Sequence, residues 1–413
     1  MRRAALPRTA RDLIALSRTS ACLYGAVVAF AEAAGIWRYP RRCRGDIAEM
    51  RFLDKAYWLY KAARPTRRAR RGSGIEEYFA QREAVRAELP AGFRVDAELT
   101  LSAVGDLMSH AYLAGSKDAL YSEVSDLIFD VDLPMANLEC VVCPPIVGDP
   151  VVRLDAPPVL HHDRASFAAA TGACGKRFGF VAAACNHSLD YGEAGVDSTI
   201  RALEEAEIAY GGLTARNADP YRATILERRG VRVGAVAYTF GLNARKAPED
   251  RPRIVHRMAL NDGVAASTFD QLTRQIEHCR AEGVDFLVVQ LHWGFEHEYY
   301  PIAEQIELAH HLAELGADAI IGHHPHVVQP MELFRTKRDP LRLVPIYYSL
   351  GNLITPLSVL HACTSHVARI TLARGAMDGG SPRVYVRSAD VVTVRQVADD
   401  ARRQIRLVRS PPA

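Results

Sequence analysis

From residue 98 onward, short apolar runs alternate with amphipathic segments in a regular order. Runs such as ELTLSAV, VRVGAVAY, DFLVVQLH and ADAII have the length and apolar content of buried strands. Segments such as AGVDSTIRALEEA and PIAEQIELAHHLAEL lie between those runs and carry apolar residues at helical spacing. Alternating strands and helices of these lengths predict an α/β domain, with helices on the faces of its sheets.

The strands of this domain end in polar residues of a particular kind. Five predicted strand ends carry candidate metal ligands or proton carriers, which are Asp106, Glu139, the pair Asn186 and His187, His292, and the pair His324 and His326. In open α/β sheets, ligands bind beyond the carboxyl ends of strands, where loops from separate strands converge. Packing alone does not account for five such coincidences. The sequence therefore predicts one site shared by all five strand ends.

The side-chain types at these strand ends indicate a divalent metal. Carboxylate oxygens, an amide oxygen and imidazoles, without thiolates, suit Mn, Fe or Zn better than Ca. There are enough of them for two ions that share a bridging carboxylate. Two such ions can generate a hydroxide nucleophile at neutral pH. His187 directly follows a candidate ligand, so we expect it to face the substrate and to protonate a leaving group.

A set of short motifs along the chain resembles a known family. The motifs are GD-x-M at Asp106, NLE at Glu139, NH-x-x-D-x-G at Asn186, HWG-x-E at His292, and G-x-HPHVVQP followed by YSLGN. In this order, over roughly residues 98 to 370, they are similar to the bacterial capsule-synthesis CapA family. These poly-γ-glutamate (PGA_cap) proteins belong to the calcineurin-like metallophosphoesterase superfamily. Each motif alone is weak, but their common order is specific.

The resemblance implies a fold and a role for each residue. The fold would be a four-layer metallophosphoesterase-like α/β sandwich of two mixed β-sheets flanked by helices, with a dinuclear metal centre at one sheet edge. Asp106 and His326 would bind the first ion, and Glu139 would bridge the two. The second ion would be bound by Asn186, His292 and His324, and His187 would act as the acid.

The chain departs from the superfamily pattern at its first motif. Asp-x-His is usual there, whereas Met108 stands in the position of the imidazole, and a thioether is a poor ligand for a hard divalent ion. The first ion would therefore be held weakly unless His110 reaches it. CapA-like proteins share this departure, which argues against ordinary phosphate esters as the substrate.

Two functions are consistent with these residues. The first is a metal-dependent hydrolase or transferase. It would use a metal-bound hydroxide on a phosphoryl, acyl or amide group of a small-molecule or polymer substrate, in poly-γ-glutamate capsule or peptide-like product biosynthesis. The second is a non-catalytic metal-binding accessory in capsule polymer assembly or export. His187 favours the enzyme, since an accessory has no need of a general acid beside a set of metal ligands.

Charge and composition divide the chain into three parts. Residues 1–71 contain 17 Lys or Arg against 5 Asp or Glu, whereas the remainder contains 34 against 43. We expect a basic N-terminal extension over residues 1–97, the CapA-like domain over 98–395 and a polar basic tail over 396–413. The Arg-rich linker before residue 74 lacks the aromatic residues of a nucleic-acid-reading surface, so no nucleic-acid partner is expected.

The extension contains two apolar segments. Residues 21–36 include Glu32, and their uninterrupted part is shorter than the ~20 residues of a spanning helix, although a signal-peptide interpretation stays open. Residues 47–60 predict a basic amphipathic helix, which suits either an anionic membrane surface or packing against the domain. The single C-x-x-C of Cys140 and Cys143 has no second C-x-x-C or paired His element, so no structural zinc site is expected. The other cysteines are scattered singly, several of them in apolar runs, which fits a reducing compartment. We therefore expect a cytoplasmic protein, with membrane association through the helix left open.

Overall fold

The computed structural model describes residues 6–14, 16–46, 49–82, 85–143, 159–173 and 175–410. Ile47, at the start of the predicted amphipathic helix, lies outside the described residues. The helices in the described ranges are α1 (Arg18–Ala33), α2 (Phe52–Ala63), α3 (Ile75–Ala80), α4 (Ser125–Ile128), α5 (Arg164–Thr171), α6 (Gly192–Glu205), α7 (Asp270–Ala281), α8 (Ala303–Leu315) and α9 (Leu360–Cys363). Short 3₁₀ turns cover Ala10–Leu13, Ala114–Ser116 and Val264–Ala266.

The strands follow the order that the apolar runs predict, with several short additions. They are β1 (Arg94–Leu107), β2 (Leu133–Leu138), β3 (Val141–Val142), β4 (His161–His162), β5 (Gly172–Ala173), β6 (Lys176–Arg177), β7 (Phe180–Ala182), β8 (Ala209–Gly211), β9 (Thr224–Arg228), β10 (Val231–Thr239), β11 (Phe286–His292), β12 (Ala319–His323), β13 (Met331–Arg335), β14 (Leu343–Tyr347), β15 (Asn352–Ile354), β16 (Thr364–Ala376), β17 (Arg383–Asp399) and β18 (Gln404–Arg409).

Two mixed sheets contain most of these strands. The larger has the order β18-β17-β16-β1-β2-β7-β8, and β15 pairs with the end of β1. In this sheet β1, β2, β7 and β8 run parallel to one another. The pairs β1 with β16, β16 with β17 and β17 with β18 are antiparallel. The smaller has the order β13-β14-β12-β11-β10-β9, parallel in the middle and antiparallel at both edges. The predicted pair of mixed sheets is confirmed.

The two sheets pack face to face, with helices outside. Successive side chains of a strand point to opposite faces. In β10, Val233, Ala235 and Ala237 join the core shared with the larger sheet, where α5 and α6 also pack. Val236 and Tyr238 join a second core with α7 and α8. Helix, sheet, sheet and helix therefore form the four predicted layers.

The C-terminal residues differ from the polar tail expected after residue 395. Residues 404–409 form β18, which pairs with β17 at the edge of the larger sheet. Ile405 and Leu407 are fully buried, and Arg406 between them is exposed. This period-two alternation is that of a half-buried strand. The segment is rich in Arg, which is common on the solvent face of an edge strand. This basic composition is the reason why the sequence predicts a polar tail there.

The N-terminal extension packs against the domain through α2. Lys61 Nζ lies 2.6 Å from Glu298 Oε1, and both side chains are only 3% exposed. The Tyr57 hydroxyl donates to the same carboxylate at 3.2 Å. Beyond the helix, the backbone N–H of Thr66 donates to the carbonyl of His297 at 2.8 Å. Of the two alternatives for the amphipathic helix, packing on the domain is thus the one observed.

The apolar run of residues 21–36 lies mostly in α1. This helix packs against α2 through Val28 and Ala31, in a small core that also contains Trp37. Leu23 and Phe30 lie on its exposed side. Among the described residues, no helix has both the length and the apolar content needed to cross a membrane.

Replacing Lys61 with Met tests the contact between α2 and the domain. Removing one partner of a buried ion pair leaves the other charge uncompensated, so we expect the free energy of unfolding to fall by about 3–5 kcal/mol. Urea denaturation measures this change. Lys117→Met, at an exposed lysine, is the control and should change stability by no more than about 0.5 kcal/mol. A Lys61→Met protein as stable as the control would show that α2 is not docked in solution.

Candidate metal centre

The two sheets bring their strand ends to one common edge. Across β1 and β2, Asp106 is in register with Asn137, and across β11 and β12, His292 is in register with His323. Glu139 follows β2 directly, and its Oε1 lies 3.8 Å from His292 Nε2 on the other sheet. The larger sheet therefore contributes the carboxylates, and the smaller sheet contributes the imidazoles.

Within the described part of the chain, three sets of side chains place ligand atoms within 4.8 Å of one another. They are Asp106 with Glu139 and His326, Glu139 with His292 and His324, and Glu296 with His324 and His326. The first two sets share Glu139 and coincide with the two ligand sets that the family resemblance implies. Asn186 Oδ1 lies 3.0 Å from His292 Nε2, beside the second set. The metal-binding roles of these residues stay predictions.

The surroundings of Glu139 show whether these residues fit a metal ion. It is fully buried, and neither of its carboxylate oxygens accepts a hydrogen bond from the described residues. Burial raises the pKa of Glu139 well above its ordinary value, and the nearby Asp106 charge adds to this, against the opposing effect of His326. A buried carboxylate without a donor is costly, and a cation would compensate it. The residues present therefore fit a divalent ion.

Two of the surrounding imidazoles, His292 and His324, are in the neutral form that binds metal. Burial lowers the pKa of His292 and of His324 well below the ordinary value, so both rings are neutral. Nδ1 of His324 has no hydrogen-bond partner among the described residues. Burial also acts to lower the pKa of His326, but Glu139 and Asp106 outweigh it and raise that pKa to about 10. The pKa of His326 is thus shifted in the opposite direction to those of His292 and His324, because its ring faces both carboxylates.

The histidine loop after β12 has an unusual backbone. His324 and His326 have φ angles of 96° and 56°, in the left-handed region that non-glycine residues rarely adopt. The backbone N–H of His324 lies 3.3 Å from Asp106 Oδ2 and donates to it. Asn352 Oδ1 accepts a hydrogen bond from His326 Nδ1 at 2.8 Å. Such strain persists only where the surroundings fix it, and it is concentrated at functional sites.

His187 lies beside the cluster with one ring nitrogen fixed. Its Nδ1 lies 2.7 Å from Asp190 Oδ2, and since a carboxylate accepts, Nδ1 carries the proton. The same oxygen accepts from the backbone N–H of Leu160 at 2.7 Å, and the other oxygen accepts from Arg245 Nε at 3.3 Å. His187 lines a small cavity of about 90 Å³ over the cluster. Its other ring nitrogen is therefore available to a bound molecule.

The sequence motifs assign no role to two asparagines that lie at the site. Asn137 Nδ2 donates to Asp106 Oδ1 at 2.8 Å and lies 3.4 Å from His292 Nδ1. Asn243 Oδ1 accepts from Asn186 Nδ2 at 3.3 Å, which leaves Oδ1 of Asn186 directed to the metal-binding side. Asn137 is the first residue of the NLE motif. The pairing of β1 with β2 places it beside Asp106, and this pairing is the signal that could have indicated its role. Asn243 lies in a loop without a motif.

The structure also bears on the first motif. Met108 lines the cavity, as its place in the sequence predicts. His110, the alternative ligand, points elsewhere: its Nδ1 accepts from the backbone N–H of Tyr112 at 2.9 Å, and its ring packs edge-on against Tyr112. Among the described residues, His110 belongs to none of the three metal-capable sets. The structure therefore does not support His110 as the missing ligand.

The sequence match to known proteins agrees with this arrangement. A profile of the family described as bacterial capsule synthesis protein PGA_cap matches residues 100–356. The chain belongs to this family. Every residue of the two sets that share Glu139 lies inside the part of the chain that the PGA_cap profile matches.

Named relatives from three bacteria are similar to this PGA_cap chain. Capsule biosynthesis protein CapA of Bacillus anthracis is 28% identical over 278 residues, which cover 65% of this chain and 62% of that protein. PGA biosynthesis protein CapA of Bacillus subtilis is 32% identical over 127 residues, 30% of each chain. A probable polyglutamine synthesis accessory protein of Mycobacterium tuberculosis is 30% identical over 176 residues, 42% of this chain and 44% of that one. The chain spans less than two thirds of the length of each.

Glu139→Gln tests whether the centre binds metal. Wild-type protein should gain stability from Mn²⁺ or Zn²⁺, by about 2.7 kcal/mol at an ion concentration 100 times Kd. The Gln variant should be no less stable than wild type without metal, since it removes a buried carboxylate that has no donor, and should lose the gain. Thermal or urea denaturation with and without the ion measures both effects.

Glu332→Gln is the matched control for this experiment. Glu332 is equally buried, but its carboxylate accepts from the hydroxyls of Tyr78 and Tyr348, at 2.6 and 2.7 Å. This control should lose about 1–3 kcal/mol without metal and keep the gain from the ion. An undiminished gain in Glu139→Gln would show that the ion binds elsewhere.

Proposed function

We propose that this PGA_cap protein is a metal-dependent hydrolase or transferase. Two divalent ions of the Mn, Fe or Zn type would be held by Asp106, Glu139, Asn186, His292, His324 and His326. The observation that carries the proposal is Glu139, which is buried without a hydrogen-bond donor and belongs to both ligand sets. When bound, such ions activate water at neutral pH and stabilise developing negative charge.

The part of the reaction assigned to the protein itself is proton transfer. His187 has Nδ1 fixed on Asp190, so its Nε2 is the atom that can give a proton to a leaving group. The Asp190 carboxylate would stabilise the imidazolium form of the ring, and Arg245 holds Asp190 in place from the other side. A metal-binding accessory has no use for this chain of three residues beside the ligands. The hydrogen-bonded series of His187, Asp190 and Arg245 therefore favours an enzyme over a non-catalytic accessory.

The substrate is proposed from the names of the relatives and the chemistry of the site. The relatives are named for capsule, PGA or polyglutamine synthesis. We propose that this chain acts on a phosphoryl, acyl or amide group in a poly-γ-glutamate-like polymer or its precursor. The absence of an imidazole at Met108 distinguishes the centre from that of an ordinary phosphoesterase. Phosphoesters and γ-glutamyl amides are the two substrate classes to screen, and the departure at Met108 argues against ordinary phosphate esters.

His187→Ala and His292→Ala separate catalysis from metal binding. The first variant should keep its metal while turnover falls by roughly 10²–10⁴, the usual contribution of a positioned general acid. The second should lose metal and turnover together, because a ligand is removed. Elemental analysis and one working substrate are sufficient. Loss of metal in His187→Ala would make that residue a ligand, and unchanged turnover would support the accessory function.

We also propose an anionic membrane surface as a partner of the N-terminal extension. Leu23, Phe30 and Ile36 are 54%, 68% and 56% exposed, and Arg18 and Arg38 near the ends of this segment are exposed as well. Exposed apolar residues beside basic ones suit an anionic lipid surface.

Phe30→Ser tests the membrane proposal. Wild-type protein should co-sediment with anionic vesicles, less so at high salt, and not with zwitterionic ones. The variant should bind the anionic vesicles more weakly because it loses a large exposed apolar side chain. Equal binding of wild type to both kinds of vesicle, or none to either, would contradict the proposal.

A further inference from the structure

The third metal-capable set contains a residue outside the expected ligands. Glu296 stands four residues after His292, in the loop that follows β11. One of its carboxylate oxygens lies within 4.8 Å of ligand atoms of both His324 and His326. Glu296, His326 and Met108 line the same cavity. A carboxylate is thus present beside His326, an expected ligand of the ion that Met108 leaves short of an imidazole, and in the cavity that Met108 lines.

The N-terminal extension holds this carboxylate in place. Trp58 Nε1, on α2, donates to Glu296 Oε2 at 2.9 Å. This hydrogen bond occupies one oxygen from the side of the extension. Helix α2 is itself fixed two residues further along the loop, by the buried pair of Lys61 and Glu298. The position of Glu296 therefore depends on the docking of α2.

The loop that carries Glu296 connects the extension with the histidine loop. The backbone of Thr66 makes two hydrogen bonds with the residues on either side of Glu298. Its N–H donates to the carbonyl of His297 at 2.8 Å, and its carbonyl accepts from the N–H of Tyr299 at 3.0 Å. The N–H of His297 donates to the carbonyl of Pro325, between the two motif histidines, at 2.7 Å. His297 has a φ of 61°, so the loop is fixed in a strained conformation.

We propose that Glu296 is a metal ligand that replaces the histidine usual at the position of Met108. We also propose that Trp58 positions this carboxylate. This inference rests on the proposed function, since it presupposes that the cluster binds metal. A carboxylate is a good ligand for a divalent ion, and a hydrogen bond to its second oxygen fixes its orientation. Binding of the ion and docking of α2 then stabilise each other. The extension becomes part of the metal centre.

The experiment counts and titrates metal in the full-length protein. Elemental analysis after gel filtration gives the ions retained per chain, and titration of metal-free protein with Mn²⁺, followed by electron paramagnetic resonance, gives the Kd of each. Wild type should bind two ions. Glu296→Gln, which is isosteric but neutral, should keep one ion and lose the other. Trp58→Phe, which keeps a ring but loses the N–H, should weaken the same ion by about 10–100-fold.

Trp37→Phe is the control for a changed aromatic residue in the extension. Trp37 is buried and packs on Tyr57 and Tyr60. This control should bind both ions as wild type does. If Glu296→Gln does not fold, as judged by circular dichroism, Glu296→Asp replaces it, because it keeps the charge but withdraws the carboxylate from the cluster and should weaken the same ion.

The outcomes separate this inference from the proposed function. Wild type that binds no ion would overturn the metal centre itself. Two ions bound with unchanged Kd values by both Glu296→Gln and Trp58→Phe would overturn only the role of Glu296. Loss of an ion in Glu296→Gln with an unchanged Trp58→Phe would uphold the ligand and overturn its positioning by the extension.

Discussion

The burial of two carboxylates at one sheet edge is the constraint on which the site depends. Asp106 and Glu139 are both fully buried, where an uncompensated negative charge is strongly unfavourable. The neighbouring groups respond to these charges: Asn137 donates to Asp106, and His326 acquires a high pKa. The left-handed backbone at His326 is tolerated because it directs an imidazole toward the carboxylates. The loops at this edge therefore place an amide and imidazoles around two buried carboxylates.

Other buried glutamates show that this chain can compensate a carboxylate internally. Glu298 has Lys61 and the hydroxyl of Tyr57, and Glu332 has the hydroxyls of Tyr78 and Tyr348. Glu139 alone among these three accepts no hydrogen bond from the described residues, although its Oε1 lies 3.4 Å from His326 Nε2. The difference therefore does not arise from a general lack of donors in the interior. It distinguishes the one of the three positions that also belongs to two of the metal-capable sets.

The sequence could predict what local periodicity and motif order encode. Period-two and helical patterns predict the central strands and helices, and Asp106, Glu139 and His292 are expected at one edge because parallel strands end together. Contacts between residues far apart in the chain could not be predicted. The hydrogen bond from Trp58 to Glu296 spans 238 positions, and neither residue alone indicates the other. In β18, buried Ile405 and Leu407 alternate with exposed Arg406, but the basic composition of the segment favours a tail. Its pairing with β17 shows that it is a strand.

The charge asymmetry between the extension and the domain acquires a structural meaning from these contacts. Lys61 reaches Glu298, and Arg82 Nε lies 3.4 Å from Glu332 Oε2, so basic residues before the domain compensate carboxylates within it. One of these pairs lies two residues from Glu296, beside the cluster. An excess of positive charge in a separate segment would have suggested an external anionic partner alone. Part of that charge instead attaches the segment to the acidic domain, next to the candidate metal centre.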